Sequence, residues 1–180
     1  MKVVSIVGMA GSGKSEVARI FARSGFKKVR FGDVTDEEIK KRGLKLNEEN
    51  ERCVRQQLRK EYGMAAYAEL NLPRIDTLLE SSDVVVDGLY SWEEYTLLKS
   101  RYSDDFHVVA VWASPKTRYN RLGKRQIRPL TVKEAAGRDV AELESTNKGG
   151  PIAMADFTII NEASLEDLEG ETKKVISLLR

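Results

Sequence analysis

The run Gly8-Met9-Ala10-Gly11-Ser12-Gly13-Lys14-Ser15 matches G-x-x-x-x-G-K-[ST] at every fixed position. That pattern restricts the fold sharply, because it functions only between a buried strand and the start of a helix. Both flanks fit. Val3-Val4-Ser5-Ile6-Val7 is β-branched and almost wholly apolar, as a strand covered on both faces should be. After Lys14, the residues Val17, Ile20, Phe21 and Ser24 recur at helical spacing until Gly25. The chemistry accounts for each residue type. Glycines let the backbone turn its N–H groups inward toward phosphate oxygens, and the helix adds the positive end of its dipole. In such a loop the lysine, Lys14, reaches the β- and γ-phosphates and the hydroxyl of Ser15 serves Mg²⁺. Gly8 through Ser15, with Met9, Ala10, Gly11, Ser12 and Gly13 between, therefore form the expected phosphate cradle, and Glu16 in the first helical turn is expected to join them in binding the nucleotide.

Downstream, strand and helix patterns alternate. Val29-Arg30-Phe31 reads as a short strand ending at Gly32-Asp33, and Thr35 with Glu38 reads as a capping box for the next helix. Asn47 caps a longer helix with an apolar stripe of Val54, Leu58 and Tyr62, and a further helix meets Pro73, where a bend or interruption is expected. Val84-Val85-Val86 runs into Asp87-Gly88, and Ser91 with Glu94 opens another helix as a capping box. Val108 to Trp112 is a strand, and Ser114-Pro115 starts a helix in the cap-plus-proline pattern. Phe157 to Ile160 is a last strand, and Leu165 to Leu179 a closing helix. Strands separated by helices predict a single α/β domain of three layers around a five-stranded parallel sheet. A helical insertion is expected over roughly 35–81 and a small lid over roughly 123–150. In such sheets ligands bind at the carboxyl ends of the strands.

Composition removes several classes. Thirty Lys plus Arg stand against 28 Asp plus Glu, a formal net charge of +2. A whole-surface nucleic-acid binder carries a larger excess, so any basic function must be local. One cysteine, Cys53, excludes an internal disulfide and reads as structural; one histidine, His107, leaves too few soft ligands for a zinc site. No apolar run approaches the roughly 20 residues of a membrane span, and the first strand is too short for a signal peptide. A cytoplasmic chain without a membrane partner is expected. The guanine-reading N-K-x-D does not occur, which argues against a GTPase, and an oligomeric AAA-type ATPase calls for a longer chain.

The local charge lies between Phe106 and Lys133, a stretch with no acidic residue. Arg118, Arg121 and Arg125 recur at i, i+3 and i+7 and so share one helix face, with Arg128 following. Guanidinium forks suit phosphate oxygens and stay charged when water is excluded, so a closing, arginine-rich lid fits phosphoryl transfer; a solvated basic helix or an RNA contact has the same pattern. Asp87 ends a buried strand where a carboxylate can serve Mg²⁺ through a water or orient an acceptor, and equally where a turn aspartate precedes glycine. Asp33 fits a base toward a hydroxyl acceptor, or a cap. Arg52, Arg55 and Arg59 line one helix face and suit an acceptor phosphate, although Glu48–Arg52 and Glu51–Arg55 are also the i, i+4 pairs of a plain exposed helix. Tyr62, Tyr67, Trp92 and Trp112 read as core or pocket wall rather than stacking platforms.

These motifs together resemble the nucleoside monophosphate kinase group, nearest the dephospho-CoA kinases and the archaeal adenylate-kinase-related proteins. The resemblance rests on Gly32-Asp33, Asp87-Gly88, Arg121 with Arg125, Arg128 with Arg138-Asp139, and Ala155-Asp156 with Asn161-Glu162-Ala163-Ser164-Leu165. It implies an ATP- and Mg²⁺-dependent kinase acting on a nucleotide-like acceptor, a nucleoside monophosphate or dephospho-CoA. Under it Lys14, Asp33, Asp87, Arg125, Arg128 and Arg138 serve transfer, Arg121 lies near the adenine, and Asn161 joins the nucleotide-binding set. One departure stands out: related kinases often carry an arginine just after the Asp-Gly, where this chain has Tyr90. A tyrosine offers that place a hydrogen bond but no charge. A regulatory P-loop ATPase and an RNA-associated P-loop protein are the other readings.

Overall fold

The computed structural model describes residues 1–126 and 129–180. β1 (Val3–Val7) is buried at every position because it lies mid-sheet, between β3 (Val84–Asp87) and β4 (Phe106–Trp112). β2 (Lys27–Arg30) forms one edge beside β3, and β5 (Phe157–Ile160) the other beside β4. The order β2-β3-β1-β4-β5 is parallel throughout, with Val3 opposite both Val84 and Phe106. This matches the expected three-layer α/β fold.

Alternation along the strands builds two cores. Val3 and Val7 join Val84, Val86 and Val108 on one face; α3 (Glu48–Tyr62), α4 (Ala66–Leu79) and α5 (Trp92–Tyr102) cover it with Val54, Tyr67, Ile75 and Leu98. Val4, Ile6, Val85, Val109 and Ile159 face the other way, against α1 (Lys14–Arg23) and α9 (Leu165–Leu179). A third, small apolar joint of Ala10, Leu122 and Ala135 ties the cradle to α6 (Pro115–Gly123) and α7 (Val132–Glu144). α8 (Gly149–Ala153) then leads into β5. Among the described residues, no helix is long and apolar enough to cross a membrane.

Several local expectations need correction. α2 (Asp33–Lys41) begins two residues before the anticipated cap. Thr35 is buried in its first turn, sharing a 2.6 Å hydrogen bond with the Tyr67 hydroxyl instead of capping. α4 runs on through Pro73. Ser91 does cap α5, and Glu94 turns back to accept the N–H of Tyr90 as well. Cys53 is exposed, as are Tyr62, Trp92 and Trp112; of the four aromatic rings expected as core or pocket wall, Tyr67 is the one in the core. The segment after Gly123 holds the helix α7, opened by a complete capping box of Thr131 and Glu134.

Candidate active site

The cradle connects β1 to α1 at the carboxyl edge of the sheet. Gly13 sits at φ +103°, and a Cβ there would come within 2.2 Å of Asn161 Nδ2, so backbone handedness and space both demand glycine. Gly8 is equally confined: a Cβ would meet the Val111 carbonyl at 2.3 Å. No side chain caps the amino end of α1, which leaves its first N–H groups and dipole to the loop. Lys14 lies back along the loop, donating to the Met9 carbonyl at 3.0 Å. Burial first, and then the neighbouring Lys148, bring its amine down to about 7, against the pull of Glu142 and Asp87.

Asp87 ends β3 beside this loop, almost wholly buried, and the Ser15 hydroxyl donates to its Oδ1 at 3.4 Å. Lys28 Nζ stands 3.7 Å from the other oxygen. A hydroxyl and a carboxylate converging at the mouth of a phosphate cradle are hard oxygen donors of the kind Mg²⁺ takes, with phosphate oxygens and waters filling its shell. Among the described residues no cluster of three or more His, Cys, Asp and Glu is arranged for a metal, so any ion here relies on such a partial donor set.

The Asp-Gly turn continues into Tyr90, Ser91 and Glu94. Glu94 is 0% exposed; Tyr90 N–H donates to its Oε2 at 2.7 Å, while Oε1 is buried without a hydrogen-bond partner. Burial raises its carboxyl to about 7. Tyr67 packs edge-on against Tyr90, and the Arg59 guanidinium lies 5.6 Å over the Tyr67 ring. Arg55 pairs with Glu51 at 3.3 Å, as the helical spacing anticipated, and Arg52 is exposed. Asp33 is half-exposed at the start of α2, held by Arg30 Nη1 at 2.8 Å; the same guanidinium reaches Asp36 at 2.7 Å.

The arginine cluster does not form a single lid face. Arg118 is buried, its two Nη atoms bonded to Asp139 at 2.8 and 2.6 Å, and it also donates to the Ala10 and Ala113 carbonyls. It is a clamp between α6, α7 and the cradle. Arg121 donates to Asn161 Oδ1 at 3.3 Å, and Asn161 Nδ2 donates to the Ser12 carbonyl at 2.8 Å, so these two brace the loop from its sheet side. Arg125 is exposed just past the end of α6, and Arg128 lies outside the described residues. Arg138 does reach the site, through Glu142, to which its Nε donates at 3.1 Å. Glu16 is taken up by Arg19. The ending around Asp156 is a set of braces as well: Asp156 accepts the Val108 N–H at 2.7 Å, and Glu162 accepts from Ser114 and Thr117 at the start of α6.

Lys148, Glu142 and Asp139 are charged groups beside the candidate site that the sequence reading did not single out as functional. The signal that leads to them is the Thr131–Glu134 capping box, which announces the helix carrying Asp139 and Glu142.

A family model described as an AAA domain matches residues 4–142. A protein of Thermococcus kodakarensis named as UPF0200 is 39% identical over 178 residues, covering 97% of this chain and 96% of the relative. The UPF0200 protein of Pyrococcus furiosus is 38% identical, covering 98% and 97%. The chain belongs to the UPF0200 family, on an AAA domain. Solved structures extend the likeness of this UPF0200 chain at the level of fold. The structure titled TT1252 from Thermus thermophilus superposes with TM-score 0.69 at 20% identity, covering 99% of this chain and 98% of that one. Shikimate kinase from Bacteroides thetaiotaomicron follows at 0.64 and 15%, covering 99% and 98%, and a gluconokinase from Sinorhizobium meliloti at 0.58 and 16%, covering 99% and 95%. The UPF0200 fold is thus that of small P-loop kinases, as the sequence pattern led us to expect.

Proposed function

We propose that this protein is an ATP-dependent phosphotransferase that moves the γ-phosphoryl group to a small nucleotide-like acceptor, a nucleoside monophosphate or dephospho-CoA. The observation that carries the reading is the convergence of Lys14, Ser15 and Asp87 at the mouth of a glycine-bounded cradle. The P-loop backbone and Lys14 would hold the triphosphate, and Ser15 with Asp87, directly or through a water, would hold Mg²⁺. When bound, that ion supplies charge neutralisation at the phosphate oxygens. In transfer, a bond forms between the acceptor oxygen and the γ-phosphorus while the bond to the β-phosphate oxygen breaks, releasing ADP. A hydroxyl acceptor also gives up a proton, and Asp33, kept in place by Arg30, is the carboxylate suited to take it. A phosphate acceptor needs no such base, and Arg55 and Arg59 on α3 would then serve its charge. Arg138, Arg125 and Arg128 are the lid cations of this reading, while Arg121 and Asn161 serve nucleotide binding by supporting the loop.

The test is an ATP-to-ADP assay across nucleoside monophosphates and dephospho-CoA, with mass detection of the product. One acceptor should yield a product heavier by a phosphoryl group, and Lys14→Ala should remove most of that transfer. Turnover that no acceptor stimulates would leave a nucleotide-binding ATPase in place of a kinase, and RNA binding that weakens steeply with salt would favour the basic segment as an RNA contact.

A further inference from the structure

Lys148 is an ammonium in an unusual place. It is 3% exposed, directly ahead of α8, with Nζ 2.7 Å from Glu142 Oε2 and 5.4 Å from the centre of the Tyr90 ring. Glu142 is shared: its Oε1 takes the Arg138 Nε at 3.1 Å, and Lys14 also pulls on its charge. Burial works against Glu142 ionising, but Lys148, Lys14 and Arg138 hold its carboxyl down at about 2. One carboxylate therefore gathers a cation from the cradle and two from the α7–α8 segment.

The segment is fixed at both ends. On the cradle side, Arg118 joins Asp139 of α7 to the Ala10 carbonyl. On the other side, Gly150 packs so closely on Trp92 that a Cβ would lie 2.6 Å from the indole. Lys148 thus lies within electrostatic reach of Lys14 on one hand and of Tyr90 and Glu94 on the other. The Tyr90 ring adds a face that favours a cation, at the position in the Asp87-Gly88 turn where the side chain itself brings no charge.

We propose that Lys148 is a phosphate-contacting residue for the transferred group, with Glu142 occupying the place of that phosphate among Lys148, Arg138 and Lys14. A carboxylate and a phosphate oxygen offer a lysine the same kind of charge-assisted hydrogen bond, so the incoming γ-phosphate competes with Glu142 for these cations. Lys148 then supplies from the lid the charge that Tyr90 does not. The inference rests on the reading that the Lys14 loop binds the triphosphate.

The two residues make opposite predictions, which a merely structural ion pair does not. Equilibrium affinities for ATP and for ADP are measured for the intact chain and for Lys148→Met, Lys148→Arg, Glu142→Gln and Lys14→Ala, with urea midpoints alongside. Lys148→Met should weaken ATP by about tenfold or more while changing ADP much less, and Lys148→Arg should retain the ATP preference. Glu142→Gln, which removes the competitor, should tighten ATP severalfold even though it lowers the urea midpoint. If Lys148→Met and Glu142→Gln move ATP affinity in the same direction, or neither moves it, the proposal is overturned. Should Lys148→Met not fold, a failure of Glu142→Gln to tighten ATP overturns it alone. Lys14→Ala separates the two levels: if that variant keeps wild-type ATP affinity, the cradle reading itself falls and takes this inference with it.

Discussion

Arg118 and Asp139 form a two-pronged, buried ion pair between α6 and α7, and the same guanidinium donates to the Ala10 carbonyl inside the cradle at 3.1 Å. Helix α7 and the glycine-rich loop are thus joined through one side chain. Removing one partner of a buried pair strands the other charge, which typically costs about 3–5 kcal/mol. Asp139→Ala should lower stability by about that amount in urea denaturation and weaken nucleotide binding with it. The Arg118→Met, Asp139→Leu double variant should be closer to wild type in stability than either single change, because no charge is then left unpaired.

Lys14 titrates near neutrality, at about 7. A bound polyphosphate raises that value, so binding above pH 7 draws in a proton, and affinity should fall up to about tenfold per pH unit there. Calorimetry in buffers of different ionisation enthalpy would register the uptake as a buffer-dependent heat. For folding the sign reverses: the unfolded amine holds its proton to about 10.5, so native stability rises between about pH 7 and 10.5. Lys14→Met should therefore bind nucleotide poorly yet be more stable at pH 7, by about 1–2 kcal/mol. That is below the full shift, since the side chain is partly exposed.

Glu94 behaves oppositely. Burial lifts its carboxyl to about 7 from an ordinary value of 4.5, so the native state holds a proton that the unfolded state has lost. Its contribution to stability declines as pH rises from about 4.5 to 7, by up to about 3 kcal/mol. Thermal or urea melts of Glu94→Gln and wild type at pH 5 and pH 8 would test this. The variant should gain on wild type at the higher pH, and a constant difference would contradict the assignment.

Gly13→Ala should be disruptive on two counts, the left-handed backbone and the 2.2 Å approach to Asn161 Nδ2. A loss of about 2 kcal/mol or more is expected, together with loss of nucleotide binding. Asn161→Ala in the same chain removes the collision but leaves the backbone strain, so a double-mutant cycle should show partial, non-additive recovery.

The cradle and most of the strand and helix pattern were legible because they depend on neighbours in the chain. Gly8 to Ser15 carries its own turn, and Leu165 to Leu179 shows its period within itself. The misreadings involve partners far along the chain. The spacing of Arg118, Arg121 and Arg125 says they can share a face, but only Asp139, 21 residues on, makes Arg118 a buried clamp. Helix α7 follows a basic stretch with no apolar period of its own, and its capping box of Thr131 and Glu134 is the local signal for it. Thr35 with Glu38 has the letters of a cap, yet Tyr67, 32 residues away, draws the threonine inward. Lys148 and Glu142 gain meaning only from packing: a lysine near two glycines has no signature of burial until Trp92 and Tyr90 close over that stretch.

The strand order has a kinetic consequence. β1 has no partner until Val84 has joined the chain, and its second side stays open until Phe106 follows, so the earliest strand waits longest for its hydrogen bonds. Closing loops of that length before any sheet contact rewards them makes collapse slow, and leaves Val3 to Val7 sticky meanwhile. During synthesis on a ribosome, the cradle cannot take shape before β4 has emerged, since the Val111 carbonyl is one of its walls. Nucleotide affinity should therefore be acquired late and abruptly as the nascent chain lengthens, rather than in proportion to the residues made.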